Sequence, residues 1–338
     1  MNLITTSARG RAYRGHRTRA AHLEFRPPHM VDPYIYQAAA GEFVFPVSAE
    51  LTAGRAYIGS DGNRYFNKDL DVIILMPTTA LTVGVTVRGG RHIRTIGGKV
   101  TVPIGASAGM SFGEQTGSVF CEGAHVDCDG QEADGIVTRF NGTIATEEGF
   151  GITQHPGITL QHCLIEKVDN LNSFHGDGYQ MQSPIDRVDM ENVTIESAYQ
   201  GMFLLNNGDP NDIGPSPDGV ILRNVNLYHY GDGLQTHFWG IWLHNGTTER
   251  TTDLYPVRFD NVWVDDSPGM DWEDVATVPN ETNTWGPLMQ TDATSDYFAF
   301  DGLSLDITGN VRRGTPPSGN FVVAATCGLN YVSPWPLL

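Results

Sequence analysis

One nine-residue pattern recurs along the chain and restricts its fold more than any other feature. Position 1 is apolar, 3 apolar, 4 polar, and 5 is Asn, Gly or His; positions 6 and 8 are apolar and 9 is usually acidic. The copies are VFCEGAHVD at 119–127, ITLQHCLIE at 158–166, VDMENVTIE at 188–196, VILRNVNLY at 220–228, VRFDNVWVD at 257–265 and FAFDGLSLD at 298–306. A degenerate copy is expected around Thr95 to Val102. Positions 1 and 3 alternate, as one face of a strand must. Position 5 then breaks phase, and Asn and Gly tolerate the left-handed backbone angles of a corner. Two short strands meeting at a corner, both turning apolar residues to one interior, are two sides of a coil. Leu160, Met190, Leu222, Phe259 and Phe300 share position 3, so they are expected in one interior column. Asn192, Asn224 and Asn261 are expected to stack as a side-chain ladder at the corner.

A second signal follows most copies: Asp134-Gly135, Asp177-Gly178, Gln200-Gly201 and Asp232-Gly233, each followed by an apolar or aromatic residue. These read as turns that open a further short strand. The copies begin at 119, 158, 188, 220, 257 and 298, more widely spaced than a bare coil needs, so loops project from it. Residues 206–219 are the clearest such loop. An antiparallel sandwich predicts hairpin turns and gives no reason for a corner recurring at one phase. The expected fold is all-β: a single-stranded right-handed parallel β-helix, a solenoid of rows about 4.8 Å apart. Its expected parts are a basic N-terminal arm at 1–36, an N-terminal capping region at 37–90, the β-helix at 91–310 and a C-terminal capping segment at 311–338.

Charge divides the chain. Residues 1–26 hold six arginines (Arg9, Arg11, Arg14, Arg17, Arg19, Arg26) against Glu24; with a net charge of −18 overall, the rest carries −23. An acidic body offers neither nucleic acid nor an anionic membrane a broad electrostatic footprint. The arm suits docking on an acidic protein, or is a solvated tail. No apolar run approaches the roughly 18 residues of a membrane span, and the first 20 residues lack a secretory apolar region. Cys121, Cys128, Cys163 and Cys327 form no CxxC pair and match no zinc spacing. They read as unpaired thiols, with Cys121 and Cys163 as small core residues in a reducing compartment.

The NV-x-[IVL] corners and the DG-x-Q strands at 177–180 and 232–235 resemble the pectate-lyase-like β-helix superfamily over about residues 90–310. That superfamily includes polysaccharide lyases, glycoside hydrolases and bacteriophage tailspikes. The R-x-P-x-x-R of pectate lyases and the G-H-G of polygalacturonases are missing here, and fold does not confer function. For a tailspike-like chain the resemblance implies a homotrimer.

If Tyr179 and Met181 point inward, then Gln180, Gln182, Phe203, Gln235, His237, Trp242 and His244 fall on one outer face. Rings cover sugar C–H faces and amides bond hydroxyls. This face reads as a saccharide groove, a protein interface, or a second small core under loops. Asp134, Asp177 and Asp232 occupy equivalent positions about 5 and 10 Å apart, near the separations used by retaining and inverting glycosidases. Asp177 and Asp232, with His175 as base, are thus the candidate catalytic set, against plain Asp-Gly turn chemistry. His229 precedes another such turn. The acidic stretches at 127–130 and 265–274 lack the register of a calcium loop and read as solvated loops; no metal and no cofactor is assigned.

Two functional expectations result. One is a bacteriophage virion spike or fibre, bound to other virion proteins through its arm and presenting a surface to host polysaccharide, without contact to nucleic acid or membrane. The other is an extracellular polysaccharide lyase or glycoside hydrolase.

Overall fold

The computed structural model describes residues 25–139, 156–169, 176–182, 185, 187–204, 219–230, 239–243, 256–265, 289–291, 297–300 and 306–337. The protein is nearly all β and is dominated by two parallel sheets. In the first, Tyr34–Gln37, Val72–Leu75, His92–Ile96, Ser118–Glu122, Gly157–Val168, Arg187–Ser197, Gly219–His229 and Pro256–Val264 lie side by side in sequence order. In the second, Val44–Phe45, Val85–Arg88, Ala108–Gly113, Asp134–Arg139, Asp177–Met181, Gln200–Leu204 and Trp239–Leu243 do the same. The chain alternates between the sheets and adds a row to each, a connectivity compatible with a solenoid.

The corner lies where the repeat breaks phase. His162, Asn192, Asn224 and Asn261 have φ of 56°, 54°, 50° and 60°, and register places them in one column with Gly123. Asn224 Nδ2 donates to Asn192 Oδ1 at 3.0 Å, and Asn261 Nδ2 to Asn224 Oδ1 at 2.7 Å. The side-chain amides thus satisfy one another where the backbone turns. Leu160, Met190, Leu222 and Phe259 pair in register and are buried in the main hydrophobic cluster. All four cysteines are buried and unpaired.

Phe300 does not continue that column. Tyr297–Phe300 runs antiparallel to Val311–Arg313 and to Met289–Thr291. The row beyond Pro256–Val264 is made by Asp306–Thr308 and Val311–Arg313, which pair with it in parallel. The copy at 298–306 matches the composition of the repeat, but the corner that stacks is Gly309-Asn310 followed by Val311.

The boundaries at the N-terminal side also move. Tyr34–Gln37 already pairs in parallel with Val72–Leu75, and that strand with His92–Ile96, so the parallel body begins inside the segment expected to be an arm. The 37–90 region combines rows of both sheets with a short helix, Ser48–Thr52, and an antiparallel hairpin, Ala56–Ile58 with Arg64–Phe66. Residues 1–24 lie outside the described residues.

The pairs at Asp134, Asp177 and Gln200 are strand residues, not turns, and Asp232-Gly233 lies outside the described residues. The first three begin Asp134–Arg139, Asp177–Met181 and Gln200–Leu204. Their glycines answer to close approach between the sheets: a Cβ on Gly178 would lie 2.2 Å from Ile195 Cγ2 and 2.5 Å from the Gly201 carbonyl oxygen.

The C-terminal segment runs along the outer face of the first sheet, crossing row after row, instead of covering an end. Asn226 Nδ2 donates to Asn320 Oδ1, and the Val322 amide to Thr194 Oγ1, each at 3.0 Å. The Gly328 amide donates to the Gly123 carbonyl at 2.7 Å, and Tyr331 Oη to Glu122 Oε2 at 2.8 Å. Trp335 Nε1 donates to Gln161 Oε1 at 2.9 Å, and an Arg94 guanidinium N–H to the Pro336 carbonyl at 2.8 Å. Phe25 joins this cover: its carbonyl accepts from Gln161 Nε2 at 2.9 Å. Beneath this strap sits a buried ion pair, Arg94 Nε to Glu122 Oε1 at 2.6 Å.

Candidate functional site

Outward positions of the second sheet line up in register. Val44, Thr86, Ser111, Val137, Gln180, Phe203 and Trp242 are successive partners across its seven strands. Gln180, Phe203 and Trp242 are therefore neighbours along one stripe, as the alternation predicts. Their environment is another matter. Phe203 keeps only 7% of its surface and packs in the main hydrophobic cluster, so it is covered instead of open. Gln180 and Gln182 are half-buried, and Gln182 Nε2 donates to Gln180 Oε1. Trp242 is placed by its backbone alone. His175, Asp232, Gln235, His237 and His244 lie outside the described residues.

The open part of the stripe is at its other end. Thr86 and Ser111 line a cavity of about 450 Å³ together with Arg88, Arg139, Asp61 and Ser107. Arg88 and Arg139 stand in one register column, separated by the row of Gly113. A Cβ on Gly113 would come within 2.6 Å of the Arg139 carbonyl oxygen, so the row between the two cations carries no side chain. Arg139 Nε is buried without a hydrogen-bond partner. On the facing wall, Asp61 accepts from the Asn63 amide and from Tyr65 Oη, each at 2.8 Å. Burial raises the Asp61 carboxyl, but the hydrogen bonds from Asn63 and Tyr65 outweigh it and hold the group below its ordinary range. The cavity thus presents guanidinium donors, the carboxylates of Asp61 and Glu114, and hydroxyls that both donate and accept. The alternation V-T-V-R at 85–88 is the one sequence signal that could place Thr86 and Arg88 outward, and it does not encode the cavity they line among the described residues.

The candidate carboxyls sit elsewhere. Asp134 and Asp177 are on adjacent rows, where the Asp177 amide donates to Asp134 Oδ1 at 3.1 Å, and Gln200 follows on the next row. Asp177 is fully buried and Gln200 is 1% exposed. Neither aspartate lines the cavity. Burial pushes Asp134 up to about 7, against the Asp177 amide and the charge of Arg139. Burial, then the charge of Asp134, pushes Asp177 well above the carboxylate range. Adjacent rows bring the two carboxyls together at the spacing of one strand step. With Asp177 sealed, however, no glycosidic bond reaches it in this conformation. His229 is half-buried, and desolvation lowers its pKa despite the opposing charge of Asp265.

A third cluster lies on the first sheet. Ligand-type atoms of His125, Asp127 and Glu166 fall within 4.8 Å of one another. They are already engaged: His125 Nε2 meets Glu166 Oε1 at 2.7 Å, and Asp127 takes Lys167 Nζ at 3.0 Å and Lys99 Nζ at 3.3 Å. The stretch beginning at Asp127 is therefore part of a strand, with Asp127 and Cys128 buried, Asp127 paired to Lys99 and Lys167, and Asp129 exposed.

No protein family matches the chain, and no curated protein and no solved structure matches it.

Proposed function

We propose that the chain is a right-handed parallel β-helix that recognises polysaccharide, in the manner of a bacteriophage virion spike or fibre. The reading rests on one observation: the polar cavity flanked by Arg88 and Arg139 on the outer face of the second sheet. Right-handed crossovers between parallel strands are the general rule, which supplies the hand. The mixture of donors and acceptors in the cavity matches the hydroxyls of a sugar unit, since each hydroxyl both gives and takes hydrogen bonds. A strongly acidic body disfavours a highly charged acidic glycan and leaves neutral, hydroxyl-rich chains as the preferred class. The five arginines among residues 1–24 supply a docking arm for another virion protein. A homotrimer and a virion location belong to the same proposal.

The test uses purified full-length protein on an array of bacterial surface polysaccharides. Wild type is expected to retain a hydroxyl-rich glycan. Ser111→Trp, which fills the cavity, is expected to lose it with an unchanged thermal midpoint. Retention of the glycan by Ser111→Trp, or failure of wild type to bind any glycan, would overturn the assignment.

A further inference from the structure

The row Asp134, Asp177 and Gln200 poses a problem that the glycan reading leaves untouched. Both carboxyl oxygens of Asp177, and both amide atoms of Gln200, are buried with no hydrogen-bond partner. Polar groups are seldom left so in folded proteins, because water once satisfied them; where it happens, an ordered water, an ion or a functional role accounts for it. Here the charge balance narrows the choice. Asp177 sits beside a second carboxyl, that of Asp134, and among the described residues neither of its carboxyl oxygens has a hydrogen-bond partner or a pairing Lys or Arg.

We propose that Asp134, Asp177 and Gln200 form a buried calcium site within the second sheet. Parallel register sets the three side by side on successive rows. The polar row is bounded by Ala108 before Asp134 and by Trp239 after Gln200. Asp177 offers two oxygens, Gln200 its amide carbonyl and Asp134 the carboxyl oxygen not engaged by the Asp177 amide. An all-oxygen donor set selects a hard cation. Calcium accepts chelating carboxylates and irregular coordination, whereas magnesium demands near-octahedral geometry and keeps its waters.

The experiment takes the full chain after dialysis against EDTA and titrates it with calcium chloride by calorimetry, alongside thermal melts. One calcium ion is expected per chain, with a rise in midpoint of about 3 °C or more at saturating calcium and a smaller rise with magnesium chloride. Asp177→Asn should weaken calcium binding at least about tenfold, the effect of removing a chelating charge. Gln200→Glu adds a carboxylate and should bind calcium more tightly while melting lower without it. If wild type shows neither heat nor a calcium-dependent midpoint, the site does not exist. If both variants keep the wild-type affinity, calcium binds elsewhere on this acidic chain and the proposal falls as well.

Discussion

The outer faces of the two sheets are built by the same alternation and end in opposite environments. On the first sheet, outward residues such as Arg94, Glu122, Gln161 and Glu191 are buried under the chain's own segments at Phe25 and 320–336. On the second, outward Thr86 and Ser111 border a 450 Å³ cavity. Strand periodicity fixes which way a side chain points; it does not say what lies above it. Charged residues on the covered face are therefore structural, and hydroxyls on the open face are available to a ligand. The comparison also holds within the second sheet, where Ser111 lines the cavity and Phe203, further along the same stripe, is covered.

This contrast breaks first at Glu122. Its carboxylate takes Arg94, Tyr331 and Ser333 together, and Glu122→Ala leaves Arg94 charged and buried. The expected loss is about 3–5 kcal/mol of unfolding free energy by denaturant titration. Combining Arg94→Met with Glu122→Leu should recover most of it, because the uncompensated charge is gone. A loss under 1 kcal/mol for Glu122→Ala would mean that the strap does not seal this face.

An interior residue sets the scale for that effect. Leu222 is fully buried in the position-3 column, and Leu222→Ala is expected to cost about 2–5 kcal/mol. If equilibrium unfolding shows Leu222→Ala to be neutral, the column does not bear on stability and the outer-face comparison loses its reference.

Acid should act on the covered side next. Burial raises the Asp71 carboxyl, but the Arg91 guanidinium and the Val31 amide outweigh it and hold the group below its ordinary range. A folded-state pKa below the unfolded value of about 3.9 gives stability that is present above that value. It is lost as pH falls through the folded pKa. Arg91 is partly exposed, so the contribution is about 1–2 kcal/mol. Melts between pH 6 and pH 2 should show Asp71→Asn with a shallower acid-side decline than wild type; parallel curves would remove Asp71 as the tie for the segment at Val31.

The smallest expected effect belongs to the open face. Thr86→Ala should change stability by no more than about 0.5 kcal/mol while weakening glycan retention. A larger drop in midpoint would show that Thr86 is part of the packing and not free for a ligand.

The corner asparagines and the column from Leu160 to Phe259 were legible because each obeys a local rule: left-handed backbone at Asn, alternation on either side. Phe300 misled for the same reason, since FAFDGLSLD satisfies the pattern while DITGNVRR, which makes the row, drops a residue before its corner. Val72–Leu75 was not readable as a row because its four apolar residues show no alternation, three of them being buried. The strap carries no periodicity at all; its contacts depend on partners as far as 242 residues away in the chain. The cavity is the space between walls from different rows and the hairpin, which no single segment encodes. Among the predicted site residues, Asp177 lies in a strand and not in the turn that Asp-Gly suggests, and its burial follows from neighbours that the motif does not contain.

The strap also imposes an order in time. Parallel rows grow by adding a neighbour to a neighbour, so the first sheet can extend while synthesis is still under way. Its seal cannot close until residues 331–336 exist, and Arg94 must wait for Pro336 across 242 residues. At translation speeds of about 5–20 residues per second, that interval is about 10–50 s. During it Arg94 and Glu122 have each other and water, and the face above them stays accessible to chaperones or to other nascent chains. Closure of the strap therefore acts as a completion check: a chain interrupted before Tyr331 leaves its earliest rows unsealed, however well those rows have formed.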